Sequence, residues 1–354
     1  MSYPSLAPYG YSSARAEQLP DHTYPARVVR HDGTAVLVVG PHGLMPLRVT
    51  PQLDPQPTVG DWLAVHEQVG GSAQDARVDQ VLPRTSLLRR QAAAGGGAQA
   101  LAANVDVVLI TCGLDRPVRA GLIDRVAAQA WDAGAHPVLL LTKIDRSAAA
   151  DVDLPRLELE HPGMRVLLSS ALESVGLDEL CEVVAGRTAV LVGESGAGKS
   201  TVTNALLGRA EAATGPVRAK DAKGRHTTTS RQLHLMPGPV GGIIIDTPGI
   251  RSLGLAADAE SVDAAFADIQ ELAAGCRFAD CSHRTEPDCA VLGALGSGLL
   301  PQGRYDSWQR LQREVESAAV RSSPQELRKY GKRFSRMAKE GAAIKRRAGE
   351  SSWD

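Results

Sequence analysis

The sequence has few aromatic residues and almost no net charge. Phe, Trp and Tyr make up 4% of its 354 residues, and the formal net charge at pH 7 is −1. A global electrostatic field that attracts polyanions is therefore excluded, and any nucleic-acid site must be a local basic patch. The chain also lacks a run of about 18 apolar residues, the length that a membrane-spanning helix requires. We therefore expect no membrane partner.

Cysteine is also scarce, and the five cysteines are unevenly placed. Cys112 and Cys181 lie in apolar runs, which is typical of buried core thiols. The other three lie within residues 276–289, and this clustering favours a metal site in a reducing cytosol over disulfides. The first twenty residues lack the basic start and apolar core of a signal peptide, so a cytoplasmic location is expected. Residues 1–22 have the composition of a disordered tail.

The most informative segment is a strand, loop and helix pattern. An apolar run, Thr188–Val192, is followed by G-E-S-G-A-G-K-S and then by a helical segment, Ser200–Leu207. This is the phosphate-binding G-x-x-x-x-G-K-[ST] loop (P-loop) in the context that the motif requires. Its glycines let backbone N–H groups surround phosphate oxygens at the positive end of the helix. We expect Lys199 to reach the β- and γ-phosphates and Ser200 to ligate Mg²⁺. The other predicted nucleotide contacts are Gly193, Glu194, Ser195, Gly196, Ala197, Gly198 and Thr201.

A second phosphate-binding motif, D-T-P-G, follows the buried apolar run Ile243–Ile245. Asp246 at its start can hold Mg²⁺ through water, and the backbone N–H of Gly249 can contact the γ-phosphate. A D-x-x-G motif is weak evidence alone. It is specific here because it lies 47 residues after Lys199 and ends a strand predicted beside the P-loop strand.

Switch I must lie between these two motifs, and the segment G-R-H-T-T-T at 224–229 is the candidate. One of its threonines should ligate Mg²⁺ and contact the γ-phosphate, and we predict Thr228. Ras-like enzymes carry a water-orienting Gln after D-x-x-G, where this chain has Ile250. Either hydrolysis is slow and depends on a partner, or another group helps, and His226 is the candidate for that group. The predicted catalytic residues are thus Lys199, Thr228 and His226.

Guanine recognition is predicted at two strand ends that precede the P-loop. The segment T-K-I-D is similar to the N-K-x-D of GTPases and consists of Thr142, Lys143, Ile144 and Asp145. The Asp145 carboxylate can accept hydrogen bonds from guanine N1–H and N2–H, a donor pair that adenine lacks, which argues against an ATPase or kinase. Thr142 departs from the usual Asn. Ser170 and Ala171 end the next strand and resemble the motif whose backbone N–H meets guanine O6.

The order of these motifs is the decisive feature. In Ras-like GTPases the P-loop comes first and the base-recognition motifs come last, whereas here residues 142–145 and 169–171 precede residues 193–201. The same sheet forms when the chain termini move, because domain ends lie close together at the surface. Strands that alternate with helices also indicate a doubly wound α/β domain. The sequence therefore predicts a circularly permuted α/β P-loop GTPase domain at residues 104–256.

A β-barrel domain is predicted before the GTPase domain. Residues 23–90 hold five short apolar runs with turn signals between them, which favours a small barrel of the OB-fold type. The runs are Ala26–Arg30, Thr34–Val39, Leu44–Val49, Asp61–His66 and Ala76–Leu82. A Gly/Ala-rich linker is predicted at residues 91–103. Such barrels often bind oligonucleotides, so RNA is a candidate partner, although a fold alone does not establish a function.

The C-terminal region, residues 257–354, is predicted to be a mostly helical zinc-binding domain with a basic tail. Three thiolates and one imidazole make a full tetrahedral set for structural zinc, with no open position for catalysis: Cys276, Cys281, His283 and Cys289. Residues 321–347 hold ten Lys/Arg against two Glu. A solvated helix face explains part of this excess, but its density favours contact with an RNA backbone.

The assembly resembles the ribosome small-subunit-dependent GTPase A family, RsgA, over about residues 24–340. The resemblance rests on the permuted motif order, the Cys/His cluster, G-R-H-T-T-T and four further segments: V-G-D-W at 59–62, R-T-S-L-L-R at 84–89, A-A-N-V-D at 102–106 and L-I-D-R at 122–125. It implies an OB barrel, a permuted GTPase and a zinc domain. It also implies late maturation of the small ribosomal subunit, with GTP hydrolysis that the subunit stimulates.

The expected partners are therefore GTP or GDP and the small ribosomal subunit with its rRNA, bound by a monomer. A second interpretation remains open, in which the chain is an RNA-binding assembly factor, nucleotide is only a structural switch and turnover is incidental. Turnover measured with and without small subunits separates the two.

Overall fold

The structure, a computed structural model, describes residues 3–32, 35–66, 76–91, 98–118, 120–146, 154–208, 231–238, 241–246, 262–263 and 265–322. Its main feature is a mixed sheet of eleven strands, in which an N-terminal antiparallel part is continuous with a mostly parallel part. Within these ranges, no helix is both long and apolar enough to cross a bilayer.

Five short antiparallel strands form the first part of the sheet. They are β1 (Thr23–His31), β2 (Ala35–Gly40), β3 (Gly43–Arg48), β4 (Trp62–His66) and β5 (Arg77–Val81). β1 pairs with both β2 and β4, while β3 pairs with β2 and β5 pairs with β4. Because β3 and β5 also contact each other, the five strands curve towards closure around a small apolar core. The five predicted strands are confirmed, with ends that differ by up to three residues.

The segment predicted as a linker, residues 91–103, is not wholly a linker. Ala98–Ala103 forms strand β7, which pairs with β6 (Leu87–Gln91) as an antiparallel hairpin. The alanine-rich composition suggested flexibility, but Leu101 and Ala102 are fully buried in the main core of the molecule. Burial of small apolar side chains therefore orders a segment whose intrinsic strand preference is low.

The N-terminal tail, predicted to be disordered over residues 1–22, is also ordered where the structure describes it. A 3-10 helix spans Pro4–Tyr9, and a short helix, α1, spans Ser13–Ala16. Leu6 is completely buried, and the ring of Tyr11 lies 5.4 Å from that of Trp62 on the barrel. The prediction failed because a few anchoring side chains, which composition does not single out, pack against the barrel.

The mostly parallel part alternates strands with helices, as predicted. In chain order its elements are β8 (Val107–Gly113), α2 (Ala120–Asp132), β9 (His136–Thr142), α3 (Leu154–Glu160), β10 (Arg165–Ser169), α4 (Leu177–Val184), β11 (Thr188–Gly193), α5 (Lys199–Leu207), β12 (Gln232–Leu235) and β13 (Ile243–Asp246). The strand order is β10-β9-β8-β11-β13-β12. All neighbours are parallel except β12, which is antiparallel to β13. The carboxyl ends of five parallel strands therefore meet at one edge, where doubly wound sheets bind ligands.

Three helices form a separate C-terminal core: α6 (Ala267–Ala273), α7 (Ala290–Gly296) and α8 (Gln302–Ser322). Phe266 and Ile269 are completely buried in this core. α8 also lies against α2 of the parallel part, where Arg125 Nη2 donates to Glu314 Oε1 at 2.8 Å. Most of the predicted basic tail, residues 323–354, lies outside the described residues.

A buried arginine connects the barrel to the parallel part. Arg27 of β1 is almost fully buried, and its guanidinium donates to the carbonyls of Tyr9, Gly60 and Asn104. It also donates to Thr188 Oγ1 at 3.0 Å, at the start of the P-loop strand. Burial lowers the pKa of Arg27 to about 10, so the group is still charged at neutral pH. The guanidinium of this one barrel residue thus donates hydrogen bonds to the N-terminal segment, to the barrel and to the P-loop strand.

A second buried charge holds the barrel to the chain segment that follows it. Asp61 is completely buried, and it accepts hydrogen bonds from the Thr58 backbone N–H and from Arg84 Nε and Nη2, each at 2.8 Å. Burial raises the pKa of the Asp61 carboxyl, while Arg84 and the Thr58 N–H oppose that rise. Removal of Arg84 would leave this carboxylate buried without its cation, which is the costly way to break such a pair.

We expect Arg84→Ala to destabilise the chain by about 3–5 kcal/mol, because a desolvated carboxylate loses its partner. The matched control is Arg30→Ala, since Arg30 also forms a forked pair with an aspartate, Asp32, but with side chains 38% and 36% exposed. Exposed pairs contribute about 0–1 kcal/mol, so the control should unfold almost as the wild type does. Equal losses of melting temperature in the two variants would contradict this assignment.

Candidate functional site

The P-loop lies between the end of β11 and the start of α5, in the context that the sequence predicted. Gly196 and Gly198 have φ angles of 79° and 92°, in the left-handed region that favours glycine. A Cβ on Gly193 would lie 2.1 Å from the carbonyl oxygen of Thr111, so no larger residue fits there without a shift. The glycine spacing therefore follows from backbone geometry as well as from ligand chemistry.

Lys199 lies at the first turn of α5, and its side chain returns over the loop. Its Nζ donates to the carbonyls of Gly193 and Glu194, at 2.7 and 2.8 Å. These contacts hold the ammonium at the mouth of the loop, beside the backbone N–H groups and the positive end of the helix. Ser200 and Thr201 follow in the same turn. The arrangement is suited to an anion with several phosphate oxygens.

Thr142 brings the predicted guanine motif against the P-loop. It ends β9, it is buried, and its Oγ1 lies 2.6 Å from the Ala197 carbonyl and 3.3 Å from that of Cys112. A hydroxyl carries one proton, so the shorter contact to Ala197 is the principal hydrogen bond. Threonine at this position therefore joins the two predicted motifs, although the family motif has asparagine there.

Asp145 lies just after Thr142, in a short 3-10 turn, Ile144–Arg146. Its Oδ1 accepts a hydrogen bond of 2.6 Å from Ser170 Oγ, at the end of β10. Ser170 in turn accepts from the backbone N–H of Glu173 at 3.2 Å. The two predicted base-recognition segments are thus in direct contact, and the serine holds the carboxylate in one orientation.

Two residues of this edge were missed by sequence reasoning. Asp115 follows β8, and its Oδ2 accepts from Lys143 Nζ at 2.7 Å, which lowers the pKa of the Asp115 carboxyl. Arg116 is its neighbour, and Nη1 donates to the Ser195 carbonyl of the P-loop at 3.3 Å. The available signal was their position, since both follow the carboxyl end of a buried strand predicted beside the P-loop strand.

The second phosphate motif is only partly described. Asp246 ends β13, which pairs in parallel with β11, so it lies at the same edge as the P-loop. Gly249 and Ile250, together with the predicted switch I residues His226 and Thr228, lie outside the described residues. Their roles stay predictions.

The four predicted metal ligands are brought together. One side-chain ligand atom from each of Cys276, Cys281, His283 and Cys289 lies within 4.8 Å of all the others. The Cys276 and Cys289 sulfurs are 3.8 Å apart, and His283 Nδ1 is 3.5 and 3.4 Å from them. Tetrahedral zinc with ordinary bond lengths requires about 3.8 Å between two sulfurs and about 3.5 Å between sulfur and nitrogen. The donor set therefore fits a zinc ion in both chemistry and spacing.

The backbone and the C-terminal core hold these ligands in place. His283 has a φ angle of 56°, and its carbonyl accepts from the Tyr305 hydroxyl of α8 at 2.6 Å. Cys289 caps the amino end of α7, where its sulfur accepts from the Leu292 N–H at 3.5 Å. The cluster thus connects a loop with little apolar core to two helices.

Comparisons with known proteins agree with this geometry. Residues 81–256 match the family model described as RsgA GTPase. The chain is 41% identical over 362 aligned residues to the "Small ribosomal subunit biogenesis GTPase RsgA" of Streptomyces coelicolor, which covers 98% of this chain and 97% of that relative.

Two solved structures share the fold. One is YjeQ from Thermotoga maritima, with a TM-score of 0.62 and 24% identity, covering 83% of this chain and 98% of the other. The second is YloQ, described as a circularly permuted GTPase, with a TM-score of 0.61 and 21% identity, covering 84% and 96%. The motif order, the fold and the 41% identity over almost the full length together show that this chain belongs to the RsgA GTPase family.

Proposed function

We propose that this chain hydrolyses GTP to GDP and phosphate, and that it acts in late maturation of the small ribosomal subunit, which stimulates its turnover. The observation that carries the proposal is the 2.6 Å contact between Thr142 Oγ1 and the Ala197 carbonyl, because it holds guanine recognition against the phosphate loop. The name of the Streptomyces coelicolor relative supports the ribosomal assignment.

The nucleotide would lie along the carboxyl edge of the parallel strands. Asp145, oriented by Ser170, would accept guanine N1–H and N2–H, and the stem of Lys143 would lie along the base. The backbone of Ala171 would donate to guanine O6. Lys199 and the loop N–H groups would hold the β- and γ-phosphates.

Ser200 and Asp246 would hold the Mg²⁺ that accompanies GTP, with Thr228 as a third ligand. Hydroxyl and carboxylate oxygens suit this ion, which usually keeps several waters. Asp246 ends β13, and Ser200 lies in the first turn of α5, just after the P-loop that follows the adjacent parallel strand β11, which supports the assignment. When bound, Mg²⁺ supplies neutralising charge to the β- and γ-phosphates.

Two switch residues belong to the proposal on sequence grounds. Ile250 cannot orient water as a Gln does, so free protein should position the attacking water poorly. Docking on a ribosomal surface could order switch I and bring His226 or an rRNA group to that water. Gly249 would contact the γ-phosphate and so couple nucleotide state to the switch.

The flanking domains would provide the ribosomal contacts. The pairing of β1 to β5 has the order expected of an OB barrel, which supports RNA binding by residues 23–90. The GTPase domain would span residues 104–256. Residues 257–354 would supply a zinc domain and a basic tail that contacts the rRNA backbone. We further propose a cytoplasmic monomer.

The zinc ion would be structural. Four protein ligands leave no position open for catalysis, and the loop that carries them has little core of its own. Three of the ligand atoms lie at tetrahedral spacing, and all four lie within 4.8 Å of one another, which supports this role.

GTP turnover with and without purified small ribosomal subunits tests the function directly. We expect slow hydrolysis by the free protein and strong stimulation by the subunits, since partner-supplied groups change GTPase rates by about 10³–10⁵. His226→Ala should bind GTP but lose stimulation. A free enzyme as fast as the ribosome-bound one would remove the partner-activation proposal. A fully stimulated His226→Ala protein would remove only the histidine's role.

Asp145→Asn should bind xanthosine triphosphate in preference to GTP, because the amide of asparagine can pair with the edge of the xanthine ring. The control is Asp115→Asn, which removes the neighbouring carboxylate that pairs with Lys143 but should keep the preference for guanine. A competition assay with the two nucleotides measures both. If Asp145→Asn still prefers GTP, the base is recognised elsewhere.

Metal analysis of protein purified without chelator should find about one zinc per chain. Cys281→Ser should lose the zinc and lower the melting temperature, since a structural ion stabilises the fold that binds it. Cys181→Ser is the matched control, because this half-buried thiol lies in α4, away from the cluster. The control should keep both the zinc and the melting temperature of the wild type. Zinc-free wild-type protein with full stability would exclude the assignment.

A further inference from the structure

Arg116 lies against the outer rim of the P-loop and belongs to none of the motifs described so far. Its Nη1 donates to the Ser195 carbonyl at 3.3 Å. Its Nη2 lies 3.1 Å from the position that a Cβ on Gly196 would occupy. The guanidinium therefore covers two successive loop residues, while the side chain stays 43% exposed.

The contact resembles the one that Lys199 makes. Lys199 Nζ donates to the carbonyls of Gly193 and Glu194, and Arg116 donates to the next carbonyl along the loop, that of Ser195. Two cations are thus held by three consecutive carbonyls of one phosphate-binding loop. The N–H groups of such a loop face the phosphates, and Lys199, which the two neighbouring carbonyls hold, is the side chain expected to reach them.

Asp115 orients the arginine. One carboxylate oxygen, Oδ1, lies 3.4 Å from Arg116 Nε, and the other accepts from Lys143 Nζ at 2.7 Å. Hydrogen bonding to Lys143 is the main cause that lowers the pKa of Asp115, and the carboxylate is therefore charged at neutral pH. The arginine is in this way held between the base-recognition loop and the phosphate loop.

The guanidinium keeps donors for a ligand. It has five N–H donors, and in the part of the chain that the structure describes, Nε and Nη1 each make one hydrogen bond. A planar fork of N–H groups matches phosphate oxygens bidentately, which a point charge such as lysine cannot do.

The geometry points to Arg116 as a further catalytic residue, whose guanidinium contacts the β- and γ-phosphate oxygens of bound GTP, with Asp115 as its positioning residue. This inference rests on the proposed function. In hydrolysis, the water oxygen bonds to the γ-phosphorus while the bond to the β–γ bridging oxygen breaks. That oxygen leaves with the electron pair as part of GDP, and the water proton passes to the released phosphate. Arg116 stabilises the charge that develops on these oxygens, as arginines supplied in cis do in other P-loop enzymes.

The test uses the full-length chain and four variants: Arg116→Ala, Arg116→Lys, Asp115→Asn and the control Arg165→Ala. Arg165 is also an exposed arginine paired with a carboxylate, that of Glu179, but it starts β10, at the opposite end of that strand from Ser170. Affinities are measured for GTP, GDP and GMP, and hydrolysis is followed in single turnover with and without small subunits.

Arg116→Ala should lower the affinity for GTP by about tenfold or more, because the contact is to the outer phosphates. For the same reason it should lower the affinity for GDP less and leave that for GMP unchanged. Its single-turnover rate at saturating GTP should fall by about tenfold or more, with Arg116→Lys in between. Asp115→Asn should show the same dependence of affinity on the number of phosphates, with a smaller loss of affinity. The Arg165→Ala control should match the wild type.

Two results would overturn the inference. One is unchanged GTP affinity and hydrolysis in Arg116→Ala. The other is an equal loss of affinity for GTP, GDP and GMP, which is the result expected if the arginine only supports the fold of the loop. If the wild type hydrolysed no GTP even with small subunits, the proposed function would fail, while the dependence of affinity on phosphate number would still decide whether Arg116 contacts phosphate.

Discussion

The contact between Thr142 and the P-loop carbonyl of Ala197 is the constraint on which the rest of the site depends. The parallel pairing of β9, β8 and β11 brings the two strand ends to one edge, but pairing alone leaves each loop free to take several courses. A buried hydroxyl whose acceptor is a buried carbonyl removes that freedom, because leaving either group unpaired costs about 1–3 kcal/mol. The T-K-I-D segment and the P-loop are therefore held at a set separation before any ligand binds.

The same principle operates between domains. Arg27 and Asp61 are charged groups placed where water cannot reach them, and each has hydrogen-bond partners in more than one segment of the chain. Charges buried in this way tolerate few alternative packings, since every displaced partner leaves a desolvated charge. The barrel and the P-loop strand consequently form one continuous structure rather than two bodies joined by a flexible linker.

The failures of sequence reasoning share a physical cause. The N-terminal segment and Ala98–Ala103 have compositions typical of flexible chain, yet Leu6 and Leu101 are buried by contacts with residues distant in sequence. Asp115 and Arg116 carry no motif, and their importance comes only from the strand that ends before them. Long-range packing of this kind leaves no periodic or spacing signal, whereas the P-loop and the Cys/His cluster are local patterns whose chemistry limits them to few structures.

The sequence by itself determined the motifs, the alternation of strands and helices and the Cys/His set of the candidate metal site, because each depends on residues close together in the chain. It also determined the permuted order of the motifs, since that order is read directly along the chain. Only the tertiary structure decided that Thr142 contacts the P-loop, that Ser170 orients Asp145 and that Arg116 covers the P-loop. These relations join residues that lie 25 to 79 positions apart in sequence. They arise because parallel strands align their carboxyl ends whatever their separation along the chain, and that alignment exists only in the folded sheet.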